Sequence, residues 1–542
     1  MSKARELADF VAAGNPLADG SITFDEIADG NLTITSGTIK LDGNYPNGVN
    51  NVALGNAALD TASGANGYSV AIGTNALTAM TSGGSNVGVG YASGAAITTG
   101  GNNVAVGTEA LDATTTGSSN VAIGSAALRS NTTASNNTAV GYQAGFSNTT
   151  GDRVVAVGEG SLYSNTTGGY NVALGSKPLR LNTTGANNVA IGHEALYNNT
   201  TASNNVAVGF EALYNSTGTS NSTAVGYKAG YSKTTGNSIT TYGRQSLLNN
   251  TTGGSNDAFG LNSLYSNTTG SNSVAMGTEA LFSNTTGSNC TALGFQAGYY
   301  NTTFVNNTYI GRQAGFNAVG GGNTYLGNMS GVNMTSGQNN TILGSYNGNQ
   351  GGLDIRTSSN NIVLSDGDGN PRGIFDSSGN FFVGRTSQIH GGKVCIDYTN
   401  GTTAGMAIKD TLTSGTGVPM QIVNGSGTIV GSITQNQSST SFNTTSDHRL
   451  KENVVELTGA TDRLKQLNPS RFNFIADADT TVDGFLAHEV QTVVPEAITG
   501  THNEVDADGN PVYQGIDQSK LVPLLVATIK ELEARITALE NA

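Results

Sequence analysis

Asn188-Val189-Ala190-Ile191-Gly192 is the stretch whose reading decides the fold. The residues three and one before the glycine are apolar and branched, and a small residue lies between them. That is a short strand's period of two. The alternation predicts that Val189 and Ile191 point into a core, with Ala190 on a face that another backbone approaches closely. The glycine permits a bend or a tight approach. Ala195-Leu196 supply a second apolar column. The rest of a repeat, as in Ser266-Asn267-Thr268-Thr269-Gly270-Ser271-Asn272, is turn chemistry, because Asn and Ser bond their own backbone and Gly takes positive φ.

The five-residue word recurs, its closing glycines falling at Gly55, Gly73, Gly90 and onward to Gly327 and Gly344. There are 18 copies, 17 residues apart except for one step of 18 and one of 16. In four of them the leucine gives way to glycine followed by a ring: Gly145-Phe146, Gly230-Tyr231, Gly298-Tyr299 and Gly315-Phe316. The expectation is that the ring fills the vacated space. One such unit buries too few side chains to offset ordering its own backbone, so the units must stack and share hydrogen bonds. Residues 51–350 are therefore expected to form a parallel β-roll or β-solenoid, roughly 86 Å long at an interstrand spacing of about 4.8 Å.

The composition agrees with a repetitive body. The 542 residues include 75 glycines, 9 prolines, no tryptophan and 11% charged residues. A net charge of −14 argues against a nucleic-acid surface, which needs clustered Lys and Arg. Cys290 and Cys395 are too few for a disulfide framework and suit a reducing compartment. Neither an apolar leader core nor an 18-residue apolar run occurs, so neither export by the usual route nor a membrane span is expected. Charge concentrates at one end: residues 446–542 hold 8 Lys+Arg and 16 Asp+Glu of the chain's 24 and 38. An uncharged body is joined to a globular end.

The repeated word resembles that of the head domains of trimeric autotransporter adhesins, which are left-handed parallel β-rolls. The resemblance covers about residues 50–350 and implies a trimeric roll. The export signal and C-terminal membrane barrel of that family have no counterpart here, so its anchoring is not carried over.

The charged end opens with Ser446-Asp447-His448-Arg449-Leu450-Lys451-Glu452-Asn453. It continues with Asp483-Gly484-Phe485-Leu486-Ala487-His488-Glu489-Val490, then Val494-Pro495-Glu496, then Tyr513 ahead of Leu521-Val522-Pro523-Leu524-Leu525. This order resembles the auto-processing intramolecular chaperone at the C-termini of phage tail fibres, tailspikes and endosialidases. The resemblance implies a serine nucleophile, Ser446, and a lysine base, Lys451, that cut the chain at the serine once the fibre has trimerised. A hydroxyl needs a proton acceptor, and lysine serves as one when desolvation brings its pKa towards neutrality. Ser446 is expected in an extended entry, with Lys451 on the first helical turn reaching back. Asp447, Arg449, His488 and Glu489 are supporting residues that shape or cap.

The last segment places Val522, Leu525, Ile529, Leu532, Ile536 and Leu539 alternately three and four apart, the seam of a short coiled coil. Ile at a with Leu at d favours two strands, whereas Arg535-Ile536-Thr537-Ala538-Leu539-Glu540 resembles a known trimerisation pattern. The resemblance of the body to trimeric rolls tips the expectation to three.

Residues 1–50 contain an amphipathic stretch, Ala4 to Ala13, and strand-like Leu32-Thr33-Ile34-Thr35. They are expected either to dock on a virion protein or to cap the first rung. Asn15, Asp19 and Glu26 imitate part of a calcium loop, but Leu17 takes a ligand position, so no metal or cofactor is expected. Residues 351–445 break the period with denser β and turn signals, and form a β-rich distal tip. That tip is the first choice for recognition; Phe381, Phe382 and Tyr398 are read as aromatic core before sugar-stacking platforms.

The combination points to a homotrimeric phage tail fibre, made in a bacterial cytoplasm and carried on the virion. It recognises a saccharide or protein receptor and cuts only itself. Two alternatives remain, a polysaccharide-depolymerising tailspike and a cell-surface adhesin. A depolymerase needs paired carboxylates, and Glu109, Glu194, Glu211 and Glu279 share a column in separate repeats.

Overall fold

Each repeat contributes one three-residue strand and a long turn. A computed structural model describes residues 50–61, 67–236, 238–387, 394–396, 417–423, 429–435, 439–444, 446–475, 477–506 and 509–542. The amphipathic stretch, the strand-like segment and the calcium-like loop of residues 1–49 lie outside the described residues, as does Tyr398.

Eighteen strands run from Val52–Leu54 to Thr341–Leu343. Val189–Ile191 pairs in parallel with Val172–Leu174 on one side and Val206–Val208 on the other, each residue facing its equivalent one repeat away. Turns join the ladder too: the Gly192 amide donates to the Leu174 carbonyl at 2.8 Å, and the Leu196 amide to the Ala212 carbonyl at 3.0 Å. The coil closes through residues in the left-handed region, including Glu194 at φ 54° and Leu196 at φ 52°. That conformation is costly for a leucine, and complete burial of Leu196 offsets it. The structure is thus a mainly β, parallel solenoid of 18 turns with 17-residue spacing.

The strand's two faces are the reverse of the expectation. Ala190 is fully buried, while Val189 is half-buried and Ile191 is 39% exposed. The same holds along the roll, where the middle residue is the buried one and its branched neighbours look outward. The coil is narrow: its core is largely a column of alanines beside a column of leucines, and a much larger side chain enters at the middle strand position only in the last rungs, as at Tyr309 and Tyr325.

The glycine-for-leucine rungs also differ from expectation. Phe146 stacks on Tyr163 of the next rung at 5.0 Å rather than turning inward. The vacated space is filled from neighbouring rungs. A Cβ on Gly145 would meet Leu128 at 2.9 Å, and one on Gly298 would meet the Tyr309 ring at 2.5 Å. Tyr309 occupies an alanine position and is fully buried between Gly298 and Gly315.

Two asparagine columns, expected only as turn residues, are internal. Asn86, Asn103 and Asn120 are fully buried; each receives the next one's backbone amide on its Oδ1 at 2.9–3.0 Å. In the second column, Asn148, Asn165, Asn182 and Asn199 pass amide hydrogen bonds down the roll at 2.7–3.1 Å. Most of these buried amides are satisfied by the adjacent rung, which makes the register specific.

After Gly344 the sheet takes one more parallel strand, Ile362–Ser365, with Val363 buried against Ile342. Two antiparallel strands follow, Pro371–Phe375 and Phe381–Val383. The chain divides into two units, residues 1–406 and 407–542. Among its described residues the second holds an antiparallel sheet of Gly417–Val423, Ile429–Gln435 and Thr440–Thr444, and the α-helices α1, Ala460–Leu464; α2, Ala487–Gln491; and α3, Val522–Glu540. Ala460, Val490, Val494, Leu521 and Leu524 form its small core.

Candidate self-processing site

Ser446 follows the last strand of the antiparallel sheet by two residues and precedes a 3₁₀ turn, His448–Leu450. Asp447 caps this turn. Its backbone is extended, and its Oδ1 accepts the Arg449 amide at 2.9 Å. The Arg449 guanidinium grips the same carboxylate with two bonds, of 3.0 and 2.7 Å. That pairing holds the Asp447 carboxyl below the usual carboxylate range, and Arg449 correspondingly is raised. The His448 ring reaches Asp447 at 3.5 Å.

The turn folds the chain back on itself. Lys451, returned to extended backbone at φ −122° and ψ 137°, donates its amide to the His448 carbonyl and its Nζ to Ser446 Oγ at 2.7 Å. Ser446 lies just ahead of the extended Asp447; Lys451 sits just past a single tight turn rather than on a helix. Five residues on an α-helix would separate two side chains by about 140°, so a short 3₁₀ turn flanked by extended backbone is what lets them meet. Both residues are exposed on the single chain.

His488 and Glu489 lie on α2. His488 stacks on His502 at 4.5 Å, and among the described residues no hydrogen bond or ion pair joins His488 or Glu489 to Ser446 or Lys451. The buried member of that motif is Val490. Sequence reasoning missed Glu531 of α3, whose carboxylate accepts the Ala460 and Thr461 amides at 2.8 Å and the Thr461 hydroxyl at 2.6 Å. These bonds, with Thr461 foremost, pull Glu531 down to about 2 and tie α3 to the start of α1. Gly459 at the N-cap of α1 has no side chain to do this; that vacancy was the available signal.

On the roll, Glu109 pairs with Arg129 at 3.0 Å, Glu211 with Lys228 at 3.2 Å, and Glu279 accepts from Gln296 at 2.8 Å. The rings of Tyr197, Tyr214 and Tyr231 stack within 10–15° of parallel at 5.2–5.3 Å. Both faces of Tyr214 and one face each of Tyr197 and Tyr231 are spent on one another. In the region after the roll, Phe382 is buried with Ile374, and Phe381 stacks on Phe375 at 4.4 Å.

A family model described as Chaperone of endosialidase matches residues 446–499. The match begins at Ser446. No curated protein and no solved structure matches the chain.

Proposed function

We propose that this chain is a homotrimeric phage tail fibre whose endosialidase-type chaperone segment starts assembly and is then cut off at Ser446. The observation that carries the reading is the 2.7 Å contact of Lys451 with Ser446, placed at the first residue of the matched segment and preceded by a long parallel β-roll.

Two faces support association with further copies. Parallel sheets are ordinarily covered on both faces, yet here Ile72, Ile123, Ile191, Met276 and Leu326 stand 36–44% exposed in one column along the roll. On α3, Leu524 is buried against its own domain, while Ile529, Ile536 and Leu539 are 54–78% exposed on the seam of the expected coiled coil. An apolar seam of this spacing is stable in water once other helices cover it.

In the proposed cleavage Ser446 Oγ adds to the carbonyl carbon of the preceding residue while Lys451 takes the hydroxyl proton. The bond to the Ser446 nitrogen breaks as that nitrogen receives the proton, leaving an ester. Water then hydrolyses the ester, regenerating the hydroxyl and freeing the upstream carboxylate. A lysine acts as a base at neutral pH when it is desolvated. On the single chain Lys451 is exposed, so its desolvation falls to the other two chains, which makes cutting a report of correct assembly. Residues 1–50 then attach the fibre to the virion, and the region after the roll meets a saccharide or protein on the host surface.

Sizing combined with denaturing gels tests this. Wild type is expected as a trimer of chains ending at Thr445 plus a fragment of residues 446–542. Ser446→Ala should stay full length and trimeric. A wild-type trimer that remains whole, or a monomer, overturns the reading.

A further inference from the structure

The antiparallel sheet ahead of Ser446 has one apolar face and one polar face. Its register aligns Met420 with Ile433 and Ile433 with Phe442, with Ile422 two residues along from Met420. Side chains alternate between faces, so these four share one side, while Gln421, Ser432 and Asn443 form a row on the other. The apolar side is open on the single chain: Met420 is 42%, Ile422 56% and Phe442 81% exposed. The polar side is internally bonded, Asn443 donating to Thr434 Oγ1 at 2.7 Å.

Charge decides the occupant. Residues 411–446 contain no Asp, Glu, Lys, Arg or His. A face without charge can meet its own copies without like-charge repulsion, and it offers nothing to select a charged partner. We infer that this face packs against the same face of two further copies of this chain, closing an apolar core around the fibre axis immediately upstream of the cut. The inference rests on the trimeric reading above and adds a role to it. Once the chaperone segment with α3 is gone, this sheet is what holds the three new C-termini together.

Cysteine cross-linking of the full chain tests it, with oligomeric state read in parallel by light scattering. Phe442→Cys, the most exposed residue of the apolar row, should shift from monomer to covalent dimer on non-reducing gels after mild oxidation. Met420→Cys in the same row should do likewise, and Ser441→Cys on the polar face should not. The wild-type chain, with Cys290 and Cys395, gives the background. A trimer in which neither Phe442→Cys nor Met420→Cys cross-links overturns the inference and leaves the trimer standing. A trimer in which only Ser441→Cys cross-links overturns the assignment of the face. A chain that is monomeric throughout overturns the trimeric reading itself.

Discussion

Lys233 sits in the second internal column, between Ser216 and Asn250, where most rungs carry asparagine, and replacing it should stabilise the roll. Its side chain is fully buried, and its amine donates to the Gly253 carbonyl, an oxygen that Asn250 also uses. Burial pushes the amine down to about 8 from an ordinary 10.5. At about 1.4 kcal/mol for each tenfold change, the folded chain is penalised by about 3 kcal/mol for keeping the ammonium. Because the folded value is the lower one, the penalty is complete below pH 8 and fades as pH rises towards 10.5. Lys233→Asn removes it and supplies an Oδ1 for Asn250, as Asn250 supplies one to Asn267 at 3.1 Å. A long array does not unfold in one step, so the assay is native-state hydrogen exchange of the amides between residues 230 and 253. Lys233→Asn should slow exchange there by about 100-fold at pH 7, corresponding to that 3 kcal/mol, and by much less near pH 10. Equal protection at pH 7, or a difference independent of pH, would refute the reasoning.

Two other perturbations test packing and capping. Gly315→Ala puts a methyl group into the Tyr309 ring at φ 62°, so it should cost about 2–4 kcal/mol of local stability from overpacking and left-handed strain. Adding Tyr309→Ala should recover part of that cost in a double-mutant cycle read by hydrogen exchange. Glu531→Gln should loosen the start of α1. The carboxylate's folded value, about 2, lies below its ordinary 4.5, so its contribution is full above pH 4.5 and is lost as pH falls towards 2. Hydrogen-exchange protection of the α1 amides, Ala460–Leu464, should therefore fall with acid, a response that Glu531→Gln flattens.

The period and the strand position were legible because each depends on spacing along the chain, whereas the serine–lysine pair came only from the resemblance of the residues around it. What the spacing could not supply was the side of the strand facing in. An alternation of Val-Ala-Ile fits either face equally well, and the choice was made by coil diameter, a property of the closed turn through Glu194 and Leu196 rather than of the strand. The asparagine ladders were hidden for a related reason. Asn in a turn ordinarily bonds its own backbone, and only stacking at a strict offset lets Asn165 bond Asn148 instead. The cap from Glu531 joins residues 70 apart and has no local signature.

The inverted strand ties the fold to the assembly. If Val189 and Ile191 had filled the coil, a single roll would have been complete and its outer surface polar. With alanine inside, the interior is filled by the smallest side chains that close it, and wherever one rung enlarges, as at Tyr309, its neighbours shrink to glycine. The branched residues are then surplus to the single chain's core. An isoleucine at such a position, 39% exposed at Ile191, leaves about two fifths of its burial unused in one roll, and covering that remainder contributes about 0.6–1.2 kcal/mol. Summed along the roll, that gain goes to whatever covers the outer column. Under the proposed trimer the repeat would carry two cores, one built of alanine, leucine and asparagine within each chain, the other built of valine and isoleucine between chains. An acidic substitution of Ile191 should therefore leave rung-to-rung hydrogen bonding in one roll unchanged and weaken association; a loss of the roll itself would mean that the second core does not exist.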